Sequence, residues 1–302
     1  LLEPNASGLA LRLVQERGGK LQWGAEIEQG RDESLAYDLA IGSQVGVVSW
    51  DDVTEDGKRA SVLVAVVSRE ALELTQAGKT VSPKEVAAEI PRVVARPGGF
   101  WLAYVAARRT AEPDDTNEAE PSRKDSTPDG RYAAERIEPS WLELLPLDEA
   151  GQPAGEPRPV TPRSGHVLAF DLELGKDGAA LITWRDDDTP SGAHGGRVTA
   201  LLVGAAGGTQ EQLVAAENVG SGVPDLVPGW IALPDARGHM RLAPVNDEGQ
   251  LQGKLRAEPL LGVGEVIAAS ADRLLVAQPA GTGVDLVVVT CEIGVETIDG
   301  GD

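Results

Sequence analysis

Short apolar runs alternate with polar positions along this chain, and glycine, proline, asparagine and aspartate separate the runs. In residues 38–52, DLAIGSQVGVVSWDD, an alternating segment leads through a glycine turn into a β-branched run. Residues 171–187, DLELGKDGAALITWRDD, repeat that order. Period-two alternation and β-branched runs are typical of strands, and a tight turn between two of them makes a hairpin. The pattern therefore predicts an all-β protein with internal repeats.

Two further elements repeat along the chain. The hairpin PLDEAGQPAG at residues 146–155 matches PVNDEGQLQG at residues 244–253, and Asp or Asn before Gly is typical of turns. The tetrapeptide VSPK at residues 81–84 matches VTPR at residues 160–163. This pair has the same sequence separation as Arg92 and Asp171, so the two kinds of repeat stay in phase. Unrelated strands have no reason to keep phase, which favours a repeat architecture.

The repeating unit spans roughly 40–50 residues and contains four strands, as in a propeller blade. We predict a β-propeller of five or six four-stranded blades, in a single domain at residues 1–302; the alternative is a β-sandwich. Residues 8–29 resemble half a blade and determine the number of blades. The propeller has five blades if these residues complete the last blade, and six if they form a separate sheet. The units begin near five residues: Tyr37, Pro91, Phe170, Pro224 and Glu265.

Two segments depart from this pattern. Residues 109–138 have almost no apolar periodicity and are dense in charge, proline and serine, which predicts a mobile insertion between two strands. Residues 82–90, SPKEVAAEI, are the best helical candidate and fall where one blade leads to the next.

Composition narrows the classes of partner. The net charge of −21 argues against nucleic acid and against an anionic membrane surface, because both require a basic protein face. No stretch approaches the ~20 apolar residues of a membrane span. Cys291 is the single cysteine, so an intrachain disulfide or a cysteine metal cluster is excluded. Its apolar surroundings predict a buried, inert thiol.

Acidic residues concentrate where second strands lead to third strands, and in a propeller these loops emerge on one face. We predict a binding surface there, with carbohydrate or another protein as its partner. A calcium ion is a candidate cofactor, because calcium takes six to eight oxygen ligands and residues 186–188 supply three carboxylates. The predicted binding residues are Asp51, Asp52, Glu55, Asp56, Asp114, Asp115, Asp186, Asp187 and Asp188, with the last three as candidate metal ligands.

No catalytic signature stands out. The three histidines, His166, His194 and His239, lack metal-ligand spacing, and the chain contains no phosphate-binding loop and no nucleophile elbow. Nothing singles out a catalytic pair among the 48 acidic residues. Trp50 and Trp184 hold equivalent places in their repeats, which predicts packing between adjacent blades.

The unit D-L-x-[I/L]-G…[S/T]-W-x-D-D, with its D/N-x-x-G-Q hairpin and V-[S/T]-P-[K/R], resembles the degenerate propeller repeats of bacterial secreted and envelope proteins. The resemblance implies an extracellular, periplasmic or cell-envelope location and a non-catalytic protein-binding or scaffolding role. The module would then be a subunit of a surface assembly and not an enzyme. The alternative is a carbohydrate-binding or hydrolytic propeller with its site on the acidic loop face.

Overall fold

The computed structural model describes most of the strands and the turns that join them. The described residues are 2–5, 8–30, 36–53, 60–71, 73–108, 139–186, 197–204, 208–212, 223–234, 240–246, 250–252, 256–258, 265–270, 273–280 and 283–290.

The described residues form six antiparallel sheets that follow one another along the chain. Sheet 1 contains β1 (Leu2–Asn5), β2 (Gly8–Arg17) and β3 (Lys20–Gly30). Sheet 2 contains β4 (Tyr37–Ile41), β5 (Val45–Val53), β6 (Ala60–Ser68) and β7 (Leu74–Thr80). Sheet 3 contains β8 (Val86–Arg96), β9 (Gly99–Arg108), β10 (Ser140–Leu147) and β11 (Arg158–Pro159).

The second half of the chain continues in the same way. Sheet 4 contains β12 (Val167–Leu174), β13 (Ala180–Asp186), β14 (Arg197–Val203) and β15 (Thr209–Gln212). Sheet 5 contains β16 (Asp225–Val227), β17 (Trp230–Pro234), β18 (Met240–Pro244) and β19 (Arg256–Glu258). Sheet 6 contains β20 (Glu265–Ala269), β21 (Arg273–Ala280) and β22 (Gly283–Thr290).

The fold is an all-β propeller, as predicted. Within each sheet the strands pair in chain order, and the first strand of each of sheets 2–5 contacts the first strand of the next sheet. We call β4, β8, β12, β16 and β20 the axial strands. Five apolar clusters fill the spaces between successive sheets, each built from both neighbours. The sandwich alternative is wrong, because a sandwich buries one core between two sheets.

The repeats predicted from the sequence occupy equivalent places. Trp50 lies opposite Tyr37 in sheet 2, and Trp184 lies opposite Phe170 in sheet 4. The Ser82 hydroxyl accepts a hydrogen bond from the Val62 N–H at 3.0 Å. The Thr161 hydroxyl accepts the corresponding bond from Leu142 at 2.9 Å. The shared phase therefore reflects shared hydrogen bonding.

Two expectations about local structure need comment. The helix expected at residues 82–90 is wrong: a turn precedes Val86, and the chain then runs as the axial strand β8. Ala106 and Ala107 of β9 pair with Ala88 and Ala87, so tertiary pairing outweighs the local helical preference.

The N-terminal half-blade forms a separate sheet, since sheets 1 and 6 share no ladder within the described residues. The predicted insertion at 109–138 lies outside the described residues.

Five of the six tryptophans are buried in the clusters between sheets, and Trp23 is half-exposed. Large rings fill the wedge between twisted sheets and bury much apolar area. The described residues include no helix long and apolar enough to cross a membrane.

Gly99 begins β9 with φ +144°, and a Cβ atom there would collide with the carbonyl oxygen of Leu147. Gly99→Ala is therefore expected to destabilise the fold by at least about 2 kcal/mol, through backbone strain and overpacking. Chemical denaturation measures the loss. Gly208→Ala is the matched control, because a Cβ there meets no atom within 4 Å. Equal stability of the two variants would contradict this assignment.

Candidate active site

Three aspartates occupy matching positions on the axial strands, and each bonds to the next sheet. Oδ2 of Asp38 accepts a hydrogen bond from the Val93 N–H at 2.8 Å. Oδ2 of Asp171 accepts one from Leu226 at 2.6 Å, and Oδ2 of Asp225 accepts one from Val266 at 2.6 Å. We call Asp38, Asp171 and Asp225 the axial aspartates. Their repeated geometry joins neighbouring sheets close to the propeller axis.

The second carboxylate oxygen of these side chains has a local role. Oδ1 of Asp38 accepts a hydrogen bond from the Leu39 N–H at 2.8 Å, and Oδ1 of Asp171 accepts one from Leu172 at 2.9 Å. The Asp-Leu pairs at residues 38–39 and 171–172 were visible as a repeat in the sequence. Their position on the axis was not.

Sheet 3 has arginine where β4, β12 and β16 have aspartate. Arg92 precedes Val93, just as Asp225 precedes Leu226, so it holds the corresponding position. Its Nε lies 3.7 Å from Oδ1 of Asp171, and its side chain is 30 % exposed. The axial group thus contains one cation among several carboxylates.

Burial changes the protonation of Asp171. The pKa of Asp171 is raised to about 8, mainly by removal from water and also by the nearby charge of Asp225. The N–H groups of Leu226 and Leu172 and the charge of Arg92 act in the opposite direction. Because the carboxylate is costly to ionise, Asp171 holds its proton at neutral pH.

Glu173 lies two residues beyond Asp171 on β12 and therefore on the same side of that strand. Its Oε1 accepts a hydrogen bond from the Leu174 N–H at 2.7 Å. Burial raises the pKa of Glu173; the Leu174 bond lowers it, and the charge of Asp38 raises it. The action of Asp38, two sheets away, shows that the axial strands bring these carboxylates into one electrostatic group.

A cavity of about 190 Å³ opens beside Glu173, between sheets 4 and 5. Its walls come from the end of β12 and from the turn between β16 and β17. Apolar side chains dominate the lining, and Glu173 supplies a titratable group. The lining residues are Glu173, Leu174, Leu181, Leu226, Val227, Pro228, Gly229, Trp230, Val245 and Asn246.

This arrangement is suited to proton transfer. A carboxyl group with a raised pKa keeps a proton that it can donate, whereas a carboxylate held by hydrogen bonds stays ionised and can accept one. Glu173, whose pKa is raised, fits the first description. The structure thus assembles acid–base groups that no local motif in the sequence marks.

The acidic loop face predicted from the sequence lies elsewhere. Asp186 pairs with Val167 at the start of β12, whereas Glu173 pairs with Leu181 near its end, so the two carboxylates lie at opposite ends of sheet 4. Asp51 is 8 % exposed and accepts hydrogen bonds from Ala36 at 2.9 Å and Ile90 at 2.8 Å. It therefore joins sheets 2 and 3.

The remaining predicted site residues are less defined. Asp52 is partly exposed and accepts a hydrogen bond from the Val53 N–H at 2.7 Å. Calcium binding at residues 186–188 stays a prediction. No described group of three histidine, cysteine or acidic residues is arranged to hold a metal. Six predicted binding residues lie outside the described residues: Glu55, Asp56, Asp114, Asp115, Asp187 and Asp188.

Comparison with known proteins shows similarity at the level of fold. The α-L-arabinofuranosidase of Fusarium graminearum, solved with an iminosugar inhibitor, is 9 % identical with a TM-score of 0.52, covering 93 % of this chain and 85 % of that chain. With arabinobiose bound, the corresponding enzyme is 11 % identical, with the same TM-score and coverage. A Dyadobacter fermentans protein of unknown function is 11 % identical with a TM-score of 0.56, covering 88 % and 82 %.

No protein-family model matches the chain, and no curated protein matches its sequence. The structural likeness supports the propeller fold and not a relation to degenerate envelope repeats. It also overturns the prediction of a non-catalytic protein-binding or scaffolding module that is not an enzyme. Solved enzymes that cleave glycosidic bonds share this architecture, and a protein partner has no support. The prediction rested on the absence of a local catalytic motif, whereas the carboxylates of the axial strands are distant from one another in the sequence.

Proposed function

We propose that this protein is a glycoside hydrolase in which Glu173 acts as the general acid. One observation carries the proposal: Glu173 lies in the wall of an open cavity on the axial strand that also bears Asp171, within the electrostatic reach of Asp38. Cleavage of a glycosidic bond usually requires two carboxyl groups, one protonated and one ionised. We assign Glu173 as the protonated group and Asp38 as the ionised one.

The reaction follows from these two roles. The Glu173 carboxyl donates its proton to the glycosidic oxygen as the bond from that oxygen to the anomeric carbon breaks. The Asp38 carboxylate takes a proton from water, whose oxygen bonds to the anomeric carbon. The products are a free sugar and the alcohol of the leaving group. Asp38 keeps its hydrogen bonds from Leu39 and Val93 in this role.

The cavity indicates the size of the substrate unit. A volume of about 190 Å³ is below the range of ordinary ligand pockets, and it favours a single sugar ring. The similar Fusarium enzyme acts on α-L-arabinofuranosides and binds arabinobiose. We therefore propose a pentose or a similarly small sugar at the end of a longer saccharide. Such a polymer lies outside the cell, which favours an extracellular or envelope location.

Hydrolysis of nitrophenyl glycosides tests the proposal. The panel contains α-L-arabinofuranoside, β-D-xyloside, β-D-galactoside and β-D-glucoside, each assayed with wild type and with Glu173→Gln purified in parallel. We expect release of nitrophenol from at least one pentoside by wild type alone. Absence of hydrolysis across the panel and on arabinan and xylan, or equal rates for the two proteins, would overturn the assignment.

The pH profile is a separate prediction. Because the pKa of Glu173 is raised, the acid keeps its proton above the ordinary glutamic acid range near ~4.3. As pH rises through the raised pKa, Glu173 loses that proton and kcat/KM declines. A profile of kcat/KM from pH 4 to pH 9, corrected for enzyme stability, measures this limb. A rate that climbs steadily to pH 9 would contradict an acid role.

A further inference from the structure

Two arginines pack against one tryptophan between sheets 3 and 4. The guanidinium carbon of Arg96 lies 4.5 Å from the ring centroid of Trp101, and that of Arg158 lies 5.6 Å from it. Trp101 is 1 % exposed, and its Nε1–H donates to the carbonyl of Gly178 at 2.9 Å. The indole is thus held in place, and the two cations share its surface. We call Arg96, Trp101 and Arg158 the arginine cluster.

The hydrogen bonds of the cluster go to neutral acceptors. Arg96 donates to the carbonyl oxygens of Phe100 at 3.3 Å and Pro97 at 3.2 Å. Arg158 donates to the carbonyl oxygen of Gly204 at 3.1 Å, and its Nε is buried without an acceptor. In the described part of the chain, neither guanidinium forms an ion pair with a carboxylate.

Unpaired cations are unexpected in a protein of net charge −21. Partial burial withdraws both guanidinium groups from water, which lowers the pKa of both side chains. Aromatic contact offsets only part of this cost. An oxyanion would balance the charge and accept the unused N–H donors, because guanidinium groups match carboxylate and sulfate geometry.

The cluster and the cavity lie on opposite sides of the same turn. Residues 175–179 join β12 to β13 and include Gly178, which contacts Trp101. Glu173 and Leu174 come directly before this turn and line the cavity. The arginine cluster therefore occupies the junction of sheets 3 and 4, and the cavity occupies the junction of sheets 4 and 5. A saccharide that extends from the cavity across this turn would reach the arginine cluster.

We propose that Arg96 and Arg158 bind the anionic group of an acidic sugar unit next to the unit held in the cavity. The identification of the ligand as a saccharide rests on the proposed function, whereas the anion site rests on the arginine cluster alone. Uronic acids carry a carboxylate and sulfated sugars carry a sulfate ester, and both present oxygens that two guanidinium groups can bind.

Calorimetric titration tests the site with D-glucuronate, with inorganic sulfate and with neutral D-glucose as probes. The proteins are wild type, Arg96→Gln, Arg158→Gln and the double variant. Arg69→Gln is the matched control, since Arg69 is exposed and donates to the Ser43 carbonyl away from the cluster. We expect an anion to bind wild type and Arg69→Gln alike, with affinity at least about tenfold weaker in the double variant.

The titration identifies the anion that the arginine cluster binds. Binding of glucuronate but not sulfate assigns a carboxylate ligand, and the reverse assigns a sulfate ligand. If the double variant does not fold, wild type still provides a test, because binding at the cluster weakens as sodium chloride rises. No anion binding to wild type, binding unchanged in a folded double variant, or binding insensitive to salt would overturn the site. Anion binding without hydrolysis of any glycoside would overturn the proposed function and leave the anion site standing.

Discussion

Glu173→Gln is expected to lower kcat on an aryl glycoside by about 10²–10⁴-fold, the usual contribution of a positioned general acid. Glutamine keeps the size of the side chain and an oxygen that can accept the Leu174 hydrogen bond, but it has no acidic proton. KM is expected to change little, because the lost interaction is made mainly in the transition state. Steady-state kinetics at pH 5–6 measure both constants.

Substrates with different leaving groups distinguish proton donation by Glu173 from a purely structural role. Dinitrophenolate leaves with little protonic assistance. The loss of kcat in Glu173→Gln should therefore be much smaller on a dinitrophenyl glycoside than on an alkyl glycoside. Glu85→Gln is the matched control, since Glu85 is an exposed glutamate in the turn before β8. An equal loss on all leaving groups, or a loss of the same size in Glu85→Gln, would be inconsistent with proton donation by Glu173.

Asp171→Ala is expected to destabilise the propeller by about 2–5 kcal/mol near pH 5. The substitution leaves the Leu226 and Leu172 N–H groups without their acceptor and opens a space where the buried side chain was. Urea denaturation measures the change in the free energy of unfolding. Asp285→Ala, an exposed position on β22, is the control and should stay within about 0.5 kcal/mol of wild type.

The raised pKa of Asp171 makes the loss of stability in Asp171→Ala depend on pH. The folded-state pKa of Asp171, about 8, lies above the value of 3.8 for an unperturbed aspartic acid. The folded state then binds the proton more tightly, so the stabilisation is complete below pH 4 and declines as pH rises towards 8. The slope is at most about 1.4 kcal/mol per pH unit. The difference in the free energy of unfolding between wild type and Asp171→Ala should therefore become smaller from pH 5 to pH 8. A gap that widens would reverse the assigned direction.

Local patterns explain which parts of the fold were predictable. The strands and the recurring turns depend on alternation and on the side chains of turn residues, which lie close together in the sequence. The hairpins at Asp148 and Asn246 show this well: in both, the side-chain oxygen accepts the N–H four residues on, at 2.8 Å and 2.9 Å. The helix expected at residues 82–90 failed because strand pairing with β9 is a long-range effect.

The candidate site could not be derived from the same patterns. Asp38 and Asp171 were visible as repeated Asp-Leu pairs, and the acidic loops were visible as local charge. Carboxylates at the two ends of a sheet look alike in a sequence, yet Asp186 and Glu173 lie at opposite ends of sheet 4. The arginine cluster joins the β8–β9 hairpin to Arg158 of β11, which is distant in the sequence, so no local motif records it.

The sequence by itself determined the class of this protein: strand content, turn positions and in-phase repeats of roughly four strands each. Those properties follow from the side chains of near neighbours and from the period of the apolar pattern. The tertiary structure alone decided the number of sheets, the position of the cavity, and the meeting of Asp38, Asp171 and Glu173 at the axis. These depend on how distant sheets pack, because that packing sets both distance and burial, and burial raises the pKa of Asp171 and Glu173.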